Sequence, residues 1–271
     1  MSSNRKSWHF KNFLFSNEAV SEVLDFVTMI GILMLSFSLI GLVGYPALKN
    51  AQEIRYTENT RQSFIVLAEN MNKIAMGNAP SRGVELKMYG GSLKITGNST
   101  IGINATIFNV TTSSNETISL LEPTFMRSIE NSVGDTVVAY EGTGVWIKYP
   151  TGVIINPYKP LITNRSNILV IPVVYIAGTS YTSGTGVSHL NVCQEGIPSA
   201  EGGCGKPFLT YWGNVSNITI TITGSYSSAW MDYFKNILKW DIETGGTTAR
   251  LNTTEKMDVY ILRSRIHAVL T

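Results

Sequence analysis

The sequence predicts an α+β protein. A long, apolar N-terminal α-helix is followed by a mostly antiparallel, β-sandwich-like domain that contains one short C-terminal helix. Two observations predict this order: residues 26–48 contain no charged residue, and after Pro80 the apolar residues change to the alternating pattern of short strands. The composition of the 271 residues, 44% hydrophobic and only 15% charged, is too apolar for a disordered chain. The net charge of +2 without a basic block argues against a nucleic-acid partner.

The first element is the apolar segment, which we expect to be embedded in a membrane. Its 23 residues are enough for a helix to cross a hydrocarbon core of about 30 Å. A cleaved secretory signal has a shorter apolar region, of about 7–15 residues, followed by a small-residue cleavage site, which is absent here. Lysine and arginine residues on the two sides are balanced in number, so charge does not orient the segment.

The helix is predicted to continue beyond the apolar segment, so that residues 20–48 form its apolar part and residues 49–78 its amphipathic part. Six apolar residues of the second part fall on one helical stripe. They are Phe64, Leu67, Ala68, Met71, Ile74 and Ala75. Gly77, Asn78 and Pro80 predict the end of the helix, and Pro46 predicts a kink or a local loss of helix.

Residues 82–271 are predicted to form one β-rich domain. It begins with a hairpin in which the strands 84–89 and 92–96 flank a Gly90-Gly91 turn. Further strands are predicted at 136–140, 144–149, 167–176, 208–212, 217–223 and 257–269. A helix over 227–238, with serines able to cap its start, interrupts them. The strict alternation in 217–223 predicts one buried and one solvent-facing side.

Sites for N-linked glycosylation are concentrated in this domain. Eight Asn-x-Ser/Thr sequons occur where about four would be expected by chance. They lie at Asn98, Asn104, Asn109, Asn115, Asn164, Asn214, Asn217 and Asn252. All eight follow residue 97, so we expect a glycosylated domain outside the cell; simple enrichment in a threonine-rich β domain is the alternative. Attached sugars would hydrate a surface that carries few charges.

The remaining chemistry of the chain is sparse. Cys193 and Cys204 bracket a glycine-containing loop and are expected to form a disulfide outside the cell, with two free buried thiols as the alternative. A metal site would need more ligands than these two residues and His189. The sequence contains no His-Glu-x-x-His, Cys-x-x-Cys or Gly-x-Ser-x-Gly motif and no complete phosphate-binding loop, and we expect neither an enzyme nor a cofactor.

The N-terminus carries a resemblance to a known family. Arg5, Lys6 and Lys11 form a basic leader, and Glu18-Ala19-Val20 precedes the apolar segment. This arrangement resembles the class III leader of archaeal type IV pilin-like proteins. The segments 139–152, 169–174 and 227–234 are similar to segments of uncharacterised euryarchaeal pilin-like proteins. The usual lysine or arginine before the small residue is replaced by Glu18.

The resemblance implies a leader of residues 1–19 that a prepilin peptidase removes between Ala19 and Val20. An uncleaved signal anchor is the alternative. It further implies that Glu22 pairs with the N-terminal amine of a neighbouring subunit. Asp25 is the competing candidate for this role in assembly.

On this basis the expected function is that of a structural subunit of an extracellular, pilus-like filament, assembled through its apolar helix. Its partners would be copies of itself, prepilin peptidase, the pilus assembly machinery and, before assembly, the membrane. The β domain would lie outside the cell. The alternatives are a monomeric membrane-anchored surface glycoprotein, acting as an adhesin or a minor pilin, and an anchored hydrolase with paired carboxylates.

Overall fold

The computed structural model describes residues 17–109, 111–195, 205–253 and 255–271. The fold is α+β, as predicted: a long apolar helix, then a large antiparallel β-sheet and one short helix near the C-terminus. The chain divides into two compact units, Met1–Ile54 and Arg55–Thr271.

The N-terminal helix contains a π-helical turn just before its proline. Helix α1 spans Asn17–Leu39, the π-helical turn spans Ile40–Gly44, and helix α2 spans Tyr45–Ala75. Pro46 has no N–H with which to continue the ordinary hydrogen-bond pattern, and an inserted π turn is a common way to adjust a helix locally. Pro46 therefore does not end the helix, which continues as α2.

The second part of α2 packs on the β domain by the apolar stripe that the sequence predicted. All six residues of that stripe are fully buried. Asn72, one position after Met71, is also buried, and both ends of its amide are used. Its Nδ2 donates to the backbone oxygen of Thr143 at 3.0 Å, and its Oδ1 accepts from the Tyr140 hydroxyl at 3.0 Å. This polar contact fixes the helix against the sheet at one position along its axis.

The strands form one branched sheet of fourteen strands within the described residues. Their bounds are β1 Ser81–Thr96, β2 Thr100–Asn109, β3 Ser114–Phe125, β4 Ser128–Val133, β5 Thr136–Glu141, β6 Gly144–Lys148, β7 Ile154–Tyr158, β8 Thr163–Arg165, β9 Ile168–Ala177, β10 Tyr181–Glu195, β11 Phe208–Thr223, β12 Asp241–Ile242, β13 Thr248–Leu251 and β14 Met257–Leu270. The main order is β12-β13-β11-β14-β10-β1-β4-β5-β6-β7. Strands β2 and β3 branch from β11, and β9, which also pairs with β8, runs parallel to β14.

The predicted hairpin at Gly90-Gly91 is wrong. Strand β1 runs through both glycines, pairing with β10 along most of its length and with β4 at its end. The two glycines form an irregularity in which Gly90 has a φ of +86°. A Cβ atom on Gly91 would clash with the backbone oxygen of Ser132. The glycines are therefore needed for a close approach between β1 and β4 and do not form a turn.

Most of the other predicted strands are present, but the two expected at 208–212 and 217–223 are parts of one strand, β11. Register shifts follow Trp212 and Ser216, and the alternation beyond them is as predicted. Ile218, Ile220 and Ile222 are fully buried, and the residues between them are not.

The domain has two apolar clusters. The first, which we call the α2 cluster, lies between α2 and strands β1, β4–β6, β9, β10 and β14. The second, the α3 cluster, lies among β2, β9, β11, β14 and the C-terminal helix. That helix, α3, spans Ser227–Tyr233 and continues as a π-helical turn over Phe234–Leu238. Its N-cap position is Tyr226, without a side-chain cap, so the predicted serine cap is not formed.

Candidate functional site

The most distinctive surface of the chain is the apolar part of the N-terminal helix. Every described side chain from residue 21 to residue 52 is exposed. The best 18-residue stretch has a mean hydropathy of 2.4 and none of its residues is buried. By length and composition the helix is able to cross a membrane. A helix that is apolar all round needs lipid or other helices around it.

The two predicted assembly residues lie near the start of this helix. Glu22 and Asp25 are exposed in α1, and because they are three residues apart they lie on the same side of it. The backbone oxygen of Asp25 accepts a hydrogen bond from the Thr28 hydroxyl at 2.9 Å. The residues of the predicted cleavage bond, Ala19 and Val20, are helical. Leader residues 1–16 lie outside the described residues.

The eight sequons lie on one part of the β domain. None of their asparagines is buried; seven are exposed, and Asn109 is half-buried, its Oδ1 accepting from the Thr111 N–H at 2.9 Å. The sequons fall within or next to β2, β3, β8, β11 and β13. Strands β1, β4–β6, β9, β10 and β14, which line the α2 cluster, contain no sequon in their sequence, and neither does β7. This distribution leaves the strands around the α2 cluster free of attachment sites.

The predicted disulfide involves one residue inside and one residue outside the described part of the chain. Cys193 lies in β10, and Cys204 is not among the described residues. The Gly205 N–H donates to the backbone oxygen of Gln194 at 2.7 Å, so the immediate chain neighbours of the two cysteines are in contact. The disulfide itself stays a prediction.

The β domain contains a buried pair of carboxylates, which the sequence did not predict. Glu141, at the end of β5, is 1% exposed, and Glu130, in β4, is 9% exposed. The Glu141 carboxylate accepts from the Ser99 hydroxyl at 2.6 Å and from the Trp230 indole N–H at 3.1 Å. These contacts join β5 to the start of β2 and to α3.

Glu130 completes this network on its other side. Its Oε1 accepts from the Ser128 hydroxyl at 3.0 Å and from the Tyr226 hydroxyl at 3.1 Å, and its Oε2 lies 3.3 Å from Lys94 Nζ. The pKa of Glu141 is raised to about 7. Burial is the main cause, the charge of Glu130 adds to it, and the hydrogen bonds from Ser99 and Trp230 partly oppose it. Glu141 can therefore change its charge near neutral pH.

The geometry of this pair favours a structural role. A glycoside hydrolase needs two carboxyl groups on the two sides of an accessible sugar bond. Here both groups are buried, and their oxygens are engaged by hydroxyl, indole and ammonium donors of the chain itself. Across the described ranges, no group of three or more histidine, cysteine, aspartate or glutamate residues is placed to hold a metal ion.

Comparison with known proteins gives a family but no function. A model of a family of unknown function (DUF7289) matches residues 18–268. No curated protein and no solved structure matches the chain.

Proposed function

The chain belongs to this family of unknown function (DUF7289), and we propose that it is a structural subunit of an extracellular, pilus-like filament. The observation that carries the proposal is the contrast between the two parts of the chain. The β domain buries its own apolar residues in two clusters, whereas the apolar helix before residue 53 buries none. In such a subunit the helices would leave lipid and associate through van der Waals packing of their side chains on one another.

In the proposed sequence of events, prepilin peptidase removes residues 1–19 while the apolar helix is still in the membrane. The helices of many copies then pack as the filament core, with the β domains outside. The exposed sequons would carry glycans, and the disulfide between Cys193 and Cys204 would close its loop, both of which suit an extracellular domain. The protein has no enzymatic role in this proposal.

Glu22 supplies the specific contact. Near hydrocarbon an unpaired carboxylate is costly, so pairing with the N-terminal amine of the next subunit would favour one axial register between copies. Strands β1, β4–β7 and β10 contain no sequon, so the edge of the domain that they form would let neighbouring β domains approach without glycans between them.

The experiment is to shear filaments from cells and to identify this chain in them by electron microscopy and mass spectrometry. The mature chain in the filaments should begin at Val20. Glu22→Gln should abolish or strongly reduce filaments while leaving the β domain folded. Asp25→Asn, on the same side of the helix, is the matched control.

The outcomes separate the alternatives. If the chain is found only in membranes, it is a monomeric surface glycoprotein or a minor pilin. An N-terminus at Met1 or Ser2 would favour the uncleaved signal anchor. If Asp25→Asn but not Glu22→Gln prevents assembly, the register contact belongs to Asp25.

A further inference from the structure

An open groove on the β domain has a lining unlike the rest of its surface. Its volume is about 1230 Å³, and its walls come from β3, the end of β9, the start of β11 and β14. These strands are far apart in sequence and are brought together by the pairing of β11 and β9 with β14. No sequon asparagine is among the residues that line the groove.

The groove carries an excess of positive charge. Four cationic side chains line it, Arg127, Lys206, Arg263 and Arg265, together with two carboxylates. One of these carboxylates, Glu195, is already paired with Arg265, whose Nε lies 2.8 Å from Glu195 Oε2. With that pair set aside, three cations and one carboxylate remain, which is an excess of positive charge. It favours an anionic ligand over a neutral or cationic one.

The arginines are held in place but retain free donors. Arg127 donates from one guanidinium nitrogen to the backbone oxygen of Gly178 at 2.7 Å. The guanidinium of Arg263 stacks over the Phe208 ring, with its central carbon 4.7 Å from the ring centroid. The Nε of Arg263 is buried, so only the two terminal nitrogens of its guanidinium are able to donate to a ligand. Stacking fixes the plane of a guanidinium and leaves the N–H groups, which point outward within that plane, available to a carboxylate or sulfate.

Aromatic rings accompany the cations. Phe125, on β3, is 63% exposed and Phe208, on β11, is 54% exposed, although both are large apolar side chains at the groove. Tyr175, on β9, is half-buried beside Arg263. Exposed rings beside guanidinium groups suit a ligand that has both apolar faces and negative groups in its plane.

We propose that this groove binds an acidic saccharide, in which carboxylate or sulfate groups pair with Arg127 and Arg263 while the apolar faces of the sugar rings pack on Phe125 and Phe208. A pyranose ring has such a face, and its acidic substituent projects from its edge. One sugar unit therefore has both of the chemical features that the groove offers. The inference is independent of filament assembly, since it requires only the β domain.

The test uses the full-length protein in detergent and isothermal titration calorimetry at low salt. The probes are hexagalacturonate, maltohexaose as a neutral sugar of equal length, and hexaglutamate as a peptide of equal charge. We expect hexagalacturonate to bind, its affinity to fall as salt is raised, and the other two probes to bind at least about tenfold more weakly.

Variants locate the binding. Arg263→Gln should weaken hexagalacturonate binding about tenfold or more, since it removes a charged hydrogen-bond donor. Arg165→Gln, the same change at an exposed position of β8 outside the groove, should leave the affinity within about twofold. The thermal unfolding of both variants is recorded so that a loss of folding is not mistaken for a loss of binding.

Four results would overturn the proposal. These are no binding of hexagalacturonate at millimolar concentration, equal binding of maltohexaose, equal loss of affinity in the two variants, and hexaglutamate binding as tightly as the acidic sugar. The last result would assign the groove to an acidic peptide.

Discussion

The buried carboxyl group of Glu141 should make the β domain less stable as the pH rises toward neutrality. Its pKa in the folded protein is about 7, against an ordinary value of 4.5, mainly because burial disfavours the charged form. The folded state therefore binds this proton more tightly than the unfolded state does. The stabilisation that this bound proton gives to the folded state is fully present below pH 4.5 and is lost as the pH rises through 7. Since one pKa unit corresponds to 1.36 kcal/mol, the loss is about 3 kcal/mol.

Glu141→Gln isolates this effect because glutamine cannot ionise and has nearly the same shape. Its side-chain oxygen can accept from the Trp230 indole, and its amide can donate to the Ser99 hydroxyl, so both contacts are retained. We expect the variant to match the wild type within about 1 kcal/mol at pH 4.5. At pH 8 it should be more stable than the wild type by up to about 3 kcal/mol.

The assay is urea unfolding of the full-length protein in detergent, followed by tryptophan fluorescence, at several pH values between 4 and 8. The difference between variant and wild type removes the contributions of the other titrating groups. Glu122→Gln, at an exposed position of β3, is the control and should follow the wild type at every pH. A difference between Glu141→Gln and the wild type that does not vary with pH would refute the assignment of a buried, titrating carboxyl to this position.

Three further predictions concern the same domain. Ser99→Ala removes a donor to the Glu141 carboxylate, so the pKa of Glu141 should rise and the fall in stability should shift to higher pH in the same titration. Asn72→Ala should lower the free energy of unfolding by about 1–3 kcal/mol, because it leaves the buried Tyr140 hydroxyl without its acceptor; the nearby Asn70→Ala should change it by less than about 0.5 kcal/mol, and equal losses would contradict the role of the buried amide. Gly91→Ala should cost about 3 kcal/mol or more or prevent folding, as judged by circular dichroism, since its Cβ would meet a backbone oxygen of β4; a loss below about 1 kcal/mol would show that the two strands can move apart.

Local periodicity was sufficient to predict the N-terminal helix and the positions of six of the fourteen described strands, β1, β5, β6, β9, β11 and β14. The other eight strands were not predicted. The six-residue stripe of α2 and the alternation in β11 each lie within twelve residues or fewer. In both elements the residues that the period places on the apolar side are buried. The two glycines of β1 are a position where the local sequence led to a wrong prediction. Gly90-Gly91 has the same residue types whether the chain turns or another backbone approaches closely, and only the position of Ser132 decides between them.

The buried carboxylates and the groove depend instead on pairing between distant segments. Glu141 meets Ser99, 42 residues away, and Trp230, 89 residues away, and no motif or period connects the three positions. The register between β4 and β5, in which Ile129 pairs with Tyr140, determines on which side of the sheet Glu130 lies. A slip of one residue would turn Glu130 to the opposite side of the sheet and leave the Tyr226 hydroxyl without its acceptor. The contacts of this network therefore depend on the register of the sheet. That register is set by which side chains all the strands bury together, so it cannot be derived from one local segment of the sequence.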